Sequence, residues 1–191
     1  MIQILNPDKV DKIMLDGPVK LNLGSGHHNY LDYINIDINT EVSTNLDIVG
    51  DITDLSYFPD GSVDEIVCYP VVEHLGHRVT PVFLMECYKK LKIGGQLIIE
   101  TPDLSEAIEQ FAKIRHNSGE IKGDFGDGSI YETLYGGQKD RGSFHLGCFT
   151  KYHMMCMLKW AGWNEPYVIP EPPRRGVEYG YKWNMRLRCV K

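Results

Sequence analysis

The sequence predicts an α/β protein in which the strands form a parallel sheet and helices connect them. Strand-like and helix-like patterns alternate along the chain. The first apolar run, over residues 19–23, breaks into the turn Gly24-Ser25-Gly26, and the second apolar run ends on the carboxylate of Asp37. Glycines let a ligand approach the backbone, and an acid after the next strand can accept hydrogen bonds from ribose hydroxyls. The pattern therefore predicts a nucleoside pocket.

The remaining elements of the first half follow in order. Four strands are predicted over residues 19–23, 33–38, 46–52 and 63–69. A helix is expected over residues 80–91, with Thr80 as its cap and Gly94 and Gly95 at its end. A buried strand over residues 96–100 then leads to a helix over 105–114. We expect the apolar side chains of that helix to face the core, namely Ile108, Phe111 and Ala112.

Residues 117–146 break the alternation with glycine-rich polar sequence, which predicts a lid or substrate-binding insertion. Order returns at Thr150, which is expected to cap a helix through residue 161 with Met154, Met157 and Leu158 on one buried stripe. Two last strands are predicted over 167–169 and 185–190. The sequence contains no linker or internal repeat, so we expect one domain over residues 1–191.

Composition limits the classes of partner. The chain has 191 residues and a formal net charge of −6, which argues against binding nucleic acid through its phosphates. No apolar run approaches the roughly 20 residues that span a bilayer, and we expect no signal peptide. The five cysteines include no CxxC pair and are interpreted as free thiols of a cytoplasmic protein. The oligomeric state is not predicted.

The connection between the first two strands is unusually short. Only residues 27–32 separate Gly26 from the second strand, which is too few for the usual crossover helix. In dinucleotide-binding folds the N-terminus of that helix binds the pyrophosphate. The predicted pocket therefore suits a nucleoside that has no phosphate better than it suits NAD or ATP.

The order of the motifs resembles the class I S-adenosylmethionine-dependent methyltransferases, and most closely the small type 11 methyltransferase-domain proteins. The segments that carry the resemblance are LNLGSG at 21–26, INIDI at 34–38, GDITDL at 50–55, FPDGSVD at 58–64, VVEHL at 71–75 and LKIGGQLIIE at 91–100. Residues 145–162 also resemble a late segment of that family. The resemblance implies a Rossmann-like sheet, mostly parallel with an antiparallel last strand and with helices on both faces. It also implies a methyltransferase that converts S-adenosylmethionine to S-adenosylhomocysteine.

The resemblance assigns cofactor-binding residues position by position. The loop would pass under the methionine part of the cofactor, and Asp37 would bind the ribose. Asp51 would meet the adenine, and the sulfonium methyl would point toward Tyr69. The full implied set is Leu23, Gly24, Ser25, Gly26, Asp37, Ile38, Asp51, Ile52, Tyr69 and Pro70. Two departures are His27-His28, where many relatives have a further glycine or proline, and Ser25, which replaces a frequent cysteine. An aspartate at a strand end can also be only a turn former.

Three residues are candidates for catalysis by proton removal, which can add roughly 10²–10⁴-fold to the rate. Glu73 and His74 follow the fourth strand, and His145 precedes the capped helix at the end of the long loop. Alternatively, His74 has a structural role and Glu73 orients it. His74 and His77 are three residues apart with Gly76 between them, which is not the spacing of a zinc-binding helix, so no metal is predicted.

The acceptor is predicted only as a class. Tyr131, Tyr135, Arg141 and His145 could line a polar-aromatic pocket, and Arg174 and Arg175 could hold an anion or form a solvated turn. Methylation of a hydroxyl or amine on a sugar, glycan precursor or small metabolite is the hypothesis. Two alternatives are a cofactor-binding protein without methyl transfer and, less favoured because of the missing helix, a nicotinamide-dependent oxidoreductase.

Overall fold

The computed structural model describes residues 2–41, 45–116, 128–139, 141–169 and 184–191. Arg174, Arg175 and the first part of the predicted lid, residues 117–127, lie outside the described residues. The strands are β1 (Gln3–Ile4), β2 (Lys20–Leu23), β3 (Ile34–Asp37), β4 (Ile48–Val49), β5 (Val63–Cys68), β6 (Leu91–Pro102), β7 (Tyr167–Val168) and β8 (Asn184–Val190). The helices are α1 (Pro7–Asp16), α2 (Thr80–Lys90), α3 (Leu104–His116), α4 (Gly128–Tyr135) and α5 (Lys151–Trp160), with short 3-10 turns at Val72–His74 and Arg141–Ser143.

The described strands form one sheet in the order β1-β4-β3-β2-β5-β6-β8-β7. Strands β4, β3, β2, β5 and β6 run parallel, so their carboxyl ends meet at one edge. Strand β8 is antiparallel to β6, and β1 is antiparallel to β4. The mostly parallel sheet with an antiparallel last strand is therefore confirmed.

The core lies where helices cover the central strands. Leu21, Ile34, Ile66 and Leu97 of four neighbouring strands are completely buried. Helices α2 and α5 contact each other, and the indole nitrogen of Trp163, just after α5, donates to the carbonyl of Leu84 in α2. Burial of this apolar surface is the main force that holds the sheet and helices together.

The connection from β2 to β3 contains no helix, as predicted. Buried polar side chains hold it instead. The Asn22 side-chain amide donates to the carbonyl of His28 at 2.7 Å and to Oδ1 of Asn35 at 3.0 Å. The Asn35 amide in turn donates to the carbonyl of Tyr30 at 3.0 Å. The bonds to the carbonyls of His28 and Tyr30 satisfy backbone groups that a crossover helix would otherwise have satisfied internally, and the bond between the two asparagines links them.

The same network reaches the N-terminal helix through Asp47, which is 2% exposed. Its Oδ2 accepts from the backbone nitrogen of Asn35 at 2.9 Å and from Nζ of Lys9 at 2.7 Å. Lys9 belongs to α1, a helix that the sequence analysis did not predict although Asn6 caps it and Pro7 begins it. Strand β1 and helix α4 were also missed.

Two helix predictions were wrong in detail. Thr80 is the first residue of α2 rather than its cap, because its hydroxyl bonds to the carbonyl of Gly76 at 2.8 Å. That helix ends at Lys90 and the chain enters β6 directly, so Gly94 and Gly95 lie within the strand.

The expected inward face of α3 is also wrong. Ile108 is 56% exposed and Phe111 is 49% exposed, and Ala112 is exposed as well. The buried residue is Ala107, at 0%. Phe111 lies one turn beyond Ala107 on the same face, so the helix leaves the core after its first turn. By contrast, the predicted stripe of α5 is confirmed, since Met154, Met157 and Leu158 are buried below the Thr150 cap.

Candidate functional site

The glycine loop after β2 has the conformation that its sequence requires. Gly24 has a φ of +67° and Gly26 a φ of +49°, in the left-handed region that favours glycine. The backbone nitrogens of Gly24 and Ser25 both donate to the carbonyl of Ile36 in β3. A Cβ on Gly24 would lie 2.3 Å from Cγ2 of Val71, whereas a Cβ on Gly26 would enter open space. The loop therefore packs tightly on one side and is open on the other.

Asp37 stands at the end of β3 and ties this loop to the sheet. Its Oδ2 accepts from the backbone nitrogen of Gly26 at 2.8 Å, and its Oδ1 accepts from that of Asn39 at 2.8 Å. A carboxylate has about four lone-pair sites, so each oxygen keeps capacity for another donor. The side chain is placed to bind a ligand while it also shapes the loop.

The residues predicted to meet the adenine lie after β3 and β4. Ile38 is 68% exposed, which is unusual for isoleucine, whereas Ile52 is 6% exposed. Asp51 is exposed, and its Oδ1 accepts from the backbone nitrogen and hydroxyl of Thr53 at 2.9 Å and 2.7 Å. These side chains offer an apolar surface beside a carboxylate that can accept further hydrogen bonds.

The chain segment after β5 forms the other part of the site. Tyr69 and Pro70 follow the end of the strand and are partly buried, and the Arg186 guanidinium lies 5.5 Å from the centre of the Tyr69 ring. The 3-10 turn Val72–His74 comes next and carries Glu73 and His74. Because Val71 contacts Gly24, this segment and the glycine loop adjoin each other at the same edge of the sheet.

The structure brings Glu73, His74 and His145 together. A carboxylate oxygen of Glu73 and one ring nitrogen of each histidine lie within 4.8 Å of one another. The two imidazole rings meet edge to face with their centres 4.9 Å apart. Nδ1 of His74 lies 2.8 Å from the carbonyl of Phe144, and Nδ1 of His145 lies 2.8 Å from that of Thr133. Since a carbonyl only accepts, each Nδ1 carries a proton, and in the neutral imidazole Nε2 is then the nitrogen with the free lone pair.

Backbone hydrogen bonds hold His145 against the turn that carries Glu73. The carbonyl of Glu73 accepts from the nitrogens of Leu146 at 2.8 Å and Gly147 at 2.9 Å. The nitrogen of His145 donates to the carbonyl of Tyr135, at the end of α4, at 3.0 Å. A segment far along the chain is thereby docked onto the end of β5.

Burial alters the protonation of this cluster. Glu73 is 2% exposed, and burial raises the pKa of its carboxyl to about 7, although hydrogen bonds, including one from the Thr101 hydroxyl, oppose the shift. Burial lowers the pKa of His145, opposed by its bond to Thr133 and reinforced by His74. Within the described ranges, no lysine or arginine forms an ion pair with Glu73.

Other residues singled out from the sequence are not part of this cluster. His77 is exposed and does not join Glu73 and His74. Tyr131 and Tyr135 on α4 are 52% and 55% exposed. Arg141 begins a 3-10 turn near the cluster in sequence. All five cysteines are free thiols, as predicted. Among the described helices, none is long and apolar enough to cross a membrane.

Sequence reasoning missed the groups that orient the cluster. Thr101 at the end of β6 donates to Glu73, and the backbone carbonyls of Phe144 and Thr133 orient the rings. Backbone partners leave no side-chain signal in a sequence.

A cavity of about 600 Å³ lies elsewhere, lined by Lys9, Tyr30 and Asp47 among others, and contains none of the predicted site residues.

The chain resembles known proteins in sequence and in fold. Residues 21–99, from β2 into β6, match the methyltransferase domain family. An S-adenosylmethionine-dependent methyltransferase of Archaeoglobus fulgidus is 14% identical, with a TM-score of 0.59 over 97% of this chain and 93% of that one. One from Methanosarcina mazei is 17% identical, with a TM-score of 0.59 over 99% of each chain. No curated protein sequence matches.

A third structure, a possible histamine N-methyltransferase of Thermotoga maritima, is 16% identical, with a TM-score of 0.55 over 96% of this chain and 86% of that one. At these identities the structures establish the fold, which is the Rossmann-like fold of class I methyltransferases. Together with the family match, the fold defines the class of protein as a methyltransferase that uses S-adenosylmethionine. Residues 21–99 thus match the methyltransferase domain family that the motifs resemble.

Proposed function

We propose that this protein transfers a methyl group from S-adenosylmethionine to a hydroxyl or amine of a small polar acceptor, such as a sugar, a glycan precursor or a metabolite. One observation carries the proposal. The cluster of Glu73, His74 and His145 adjoins the glycine loop, through the contact between Val71 and Gly24. Groups able to accept a proton thus lie beside the loop predicted to bind the cofactor.

The residues at the loop fit the cofactor. The hydroxyl oxygen of Ser25 is buried without a hydrogen-bond partner among the described residues, and the space above Gly26 is open. A ligand passing over the loop would supply the partner that Ser25 lacks. Asp37 would accept from the ribose hydroxyls with its remaining lone pairs. The side chain of Leu23 is fully buried, so only its backbone would face the ligand.

The adenine would lie between the strand ends that follow β3 and β4. Exposed Ile38 would pack on one side of the ring, because burying its side chain is favourable. Ile52 would contribute backbone, and Asp51 would accept from the amino group. Tyr69 and Pro70 would border the methyl group, since they follow β5 next to the loop.

When bound, the cofactor supplies an activated methyl group whose sulfonium is a good leaving group. The chain's task is to hold the acceptor in line with the S–CH₃ bond and to exclude water. The cofactor, held at the glycine loop and Asp37, would supply its methyl group to the acceptor oxygen or nitrogen, and the electrons of the C–S bond would remain on sulfur. The acceptor proton passes to a free Nε2, on His74 or His145. Glu73, with Thr101 donating to it, stabilises the imidazolium that results.

Charge and residue type support the acceptor class. The net charge of −6 favours a small or neutral acceptor over a nucleic acid. Exposed Tyr131 and Tyr135 on α4 would offer stacking surfaces for a sugar or an aromatic metabolite. We further propose that the protein is a single cytoplasmic domain and that the described part of the predicted lid, residues 128–139 and 141–146, covers the acceptor.

Cofactor binding is tested by titration calorimetry with S-adenosylmethionine and, separately, with NADH. We expect S-adenosylmethionine to bind and NADH not to bind. Asp37→Ala should weaken the affinity by about tenfold or more, because it removes the ribose acceptor and a charge-assisted bond to Gly26. Asp32→Ala, an exposed aspartate on the connection before β3, is the matched control. Equal affinity of both variants would contradict the site.

Methyl transfer is tested with the methyl-labelled cofactor and a panel of sugars, glycan precursors and metabolites. We expect label in at least one hydroxyl or amine, and its loss in His145→Ala. Cofactor binding without transfer to any acceptor would instead favour a binding protein. Binding of NADH in place of S-adenosylmethionine would favour an oxidoreductase.

A further inference from the structure

The cluster of Glu73, His74 and His145 has the composition of a metal site as well as of a proton acceptor. Two imidazoles and one carboxylate place their donor atoms within 4.8 Å of one another. The ligands come from two segments, the turn Val72–His74 and the segment around His145 that lies between the turn Arg141–Ser143 and α5. This grouping differs from the pair of His74 and His77, on whose spacing a metal was excluded.

The orientation of both rings suits a metal ion. In metal sites a histidine usually donates its other ring N–H to a carbonyl or carboxylate, which fixes the tautomer and the direction of the free nitrogen. Here Nδ1 of His74 donates to the carbonyl of Phe144 and Nδ1 of His145 to that of Thr133, both at 2.8 Å. Both rings are therefore held with the Nε2 lone pair available before any ion binds.

Glu73 provides an independent observation. Its side chain is 2% exposed, and a buried carboxylate is costly unless a charge or several hydrogen bonds compensate it. In the described part of the chain the carboxylate has a hydrogen bond with the backbone of Glu73 itself and one from the Thr101 hydroxyl at 3.0 Å, and no lysine or arginine pairs with it. A bound cation would supply the missing charge.

We propose that Glu73, His74 and His145 bind one divalent transition-metal ion, of which zinc is the model. Two histidines and a glutamate are the ligands of one class of catalytic zinc site, which keeps a position open for water or substrate. The role of the ion rests on the proposed function. An acceptor hydroxyl at the open position would have its pKa lowered and would release its proton to water. In this arrangement the two imidazoles would be ligands, and water would replace them as the proton acceptor of the proposed function.

The site is tested on the full-length protein without an affinity tag, after chelator treatment and dialysis. Co²⁺ is added and its visible absorption is recorded, and Zn²⁺ is titrated by calorimetry. We expect one equivalent of each to bind, with Zn²⁺ displacing the Co²⁺ spectrum. His145→Ala and Glu73→Gln should weaken binding by about 100-fold, because each removes a ligand.

Two exposed histidines provide matched controls, His77 on the loop after the cluster and His153 on α5. His77→Ala and His153→Ala should bind Co²⁺ like the unchanged protein. Thermal unfolding of each variant shows whether it is folded, and His145→Gln is a second variant in case His145→Ala is not. Absence of stoichiometric Co²⁺ binding, or equal loss in His77→Ala and His145→Ala, would overturn the inference.

The same preparation separates this inference from the proposed function. The affinity for S-adenosylmethionine and the methyl-transfer rate are measured with and without Zn²⁺. Undiminished transfer by the chelator-treated protein would overturn the role of the ion in transfer and leave the methyltransferase intact. Stoichiometric Co²⁺ binding in a protein that does not bind S-adenosylmethionine would leave the metal and overturn the methyltransferase.

Discussion

The two halves of the candidate site are built in different ways. The cofactor half consists of loops after β2, β3 and β4, all within residues 24–52, and its key bond joins Gly26 to Asp37. The cluster half joins Glu73 and His74 to His145, which lies more than seventy residues later. The first half depends on consecutive strands of one sheet, whereas the second depends on the docking of a distant segment. The halves should therefore respond differently to mutation.

The strongest perturbation is expected where the halves touch. Gly24→Ala forces a side chain into the left-handed region and places its Cβ 2.3 Å from Val71. We expect a loss of about 2–5 kcal/mol in the free energy of unfolding, from backbone strain together with overpacking. Urea denaturation measures this loss, and calorimetry should show that cofactor binding is lost too.

Gly61→Ala is the matched control for that change. Gly61 has a φ of +68°, nearly the same as Gly24, but a Cβ there would meet nothing within 4 Å. We expect Gly61→Ala to lower the free energy of unfolding by about 1–2 kcal/mol, from backbone strain alone. If both variants lose the same stability, the contact between Gly24 and Val71 does not join the two halves.

The cluster half alone should be disrupted by Gly136→Ala. A Cβ at Gly136 would lie 1.9 Å from the carbonyl oxygen of Ser143, so the segment that carries His145 must move. We expect the methyl-transfer rate to fall by about 100-fold, which is about 2.7 kcal/mol. The affinity for S-adenosylmethionine should stay within about twofold, because the cofactor loops are untouched.

Gly137→Ala serves as the control, since a Cβ there meets nothing within 4 Å. It should leave both the transfer rate and the cofactor affinity unchanged. A parallel loss of cofactor affinity in Gly136→Ala would mean that the two halves are not independent.

The smallest effect is expected at the ion pair between Lys9 and Asp47, which supports the cofactor half. Lys9→Met removes the cation that is 2.7 Å from Oδ2 of buried Asp47. The same oxygen accepts from the backbone nitrogen and the side-chain amide of Asn35, which helps to hold the connection from β2 to β3. We expect a loss of about 1–3 kcal/mol in stability, below the 3–5 kcal/mol of a fully buried pair, because the lysine is 23% exposed. Thermal and urea unfolding would measure it.

Lys89→Met is the control for Lys9→Met. It removes a surface ion pair on α2 in which Nζ of Lys89 lies 2.6 Å from a carboxylate oxygen of Glu86. Such exposed pairs contribute little, so no measurable loss is expected. Equal losses at both positions would show that the network around Asp47 does not stabilise the connection.

Much of the fold could be predicted because local patterns determine it. The apolar runs predicted β2, β3 and β5, and Thr150 with the Met154 stripe predicted α5. The failures fell on elements whose partner is distant. Ile108 and Phe111 have helical spacing, but the direction in which α3 leaves the sheet decides their exposure. Helix α1 was missed although its sequence carries helix signals, since Asn6 and Pro7 begin it and Val10, Ile13 and Met14 form an apolar face that packs on the core.

The sequence by itself determined the parallel sheet, the short connection without a crossover helix, and the class of enzyme. These follow from glycine conformation, hydrophobic periodicity and motif order, all of which act over short stretches of chain. Only the tertiary structure brought His145 to Glu73 and His74 and fixed both ring tautomers. Those contacts depend on backbone hydrogen bonds between distant segments, and such bonds involve no particular side chain that a sequence would reveal.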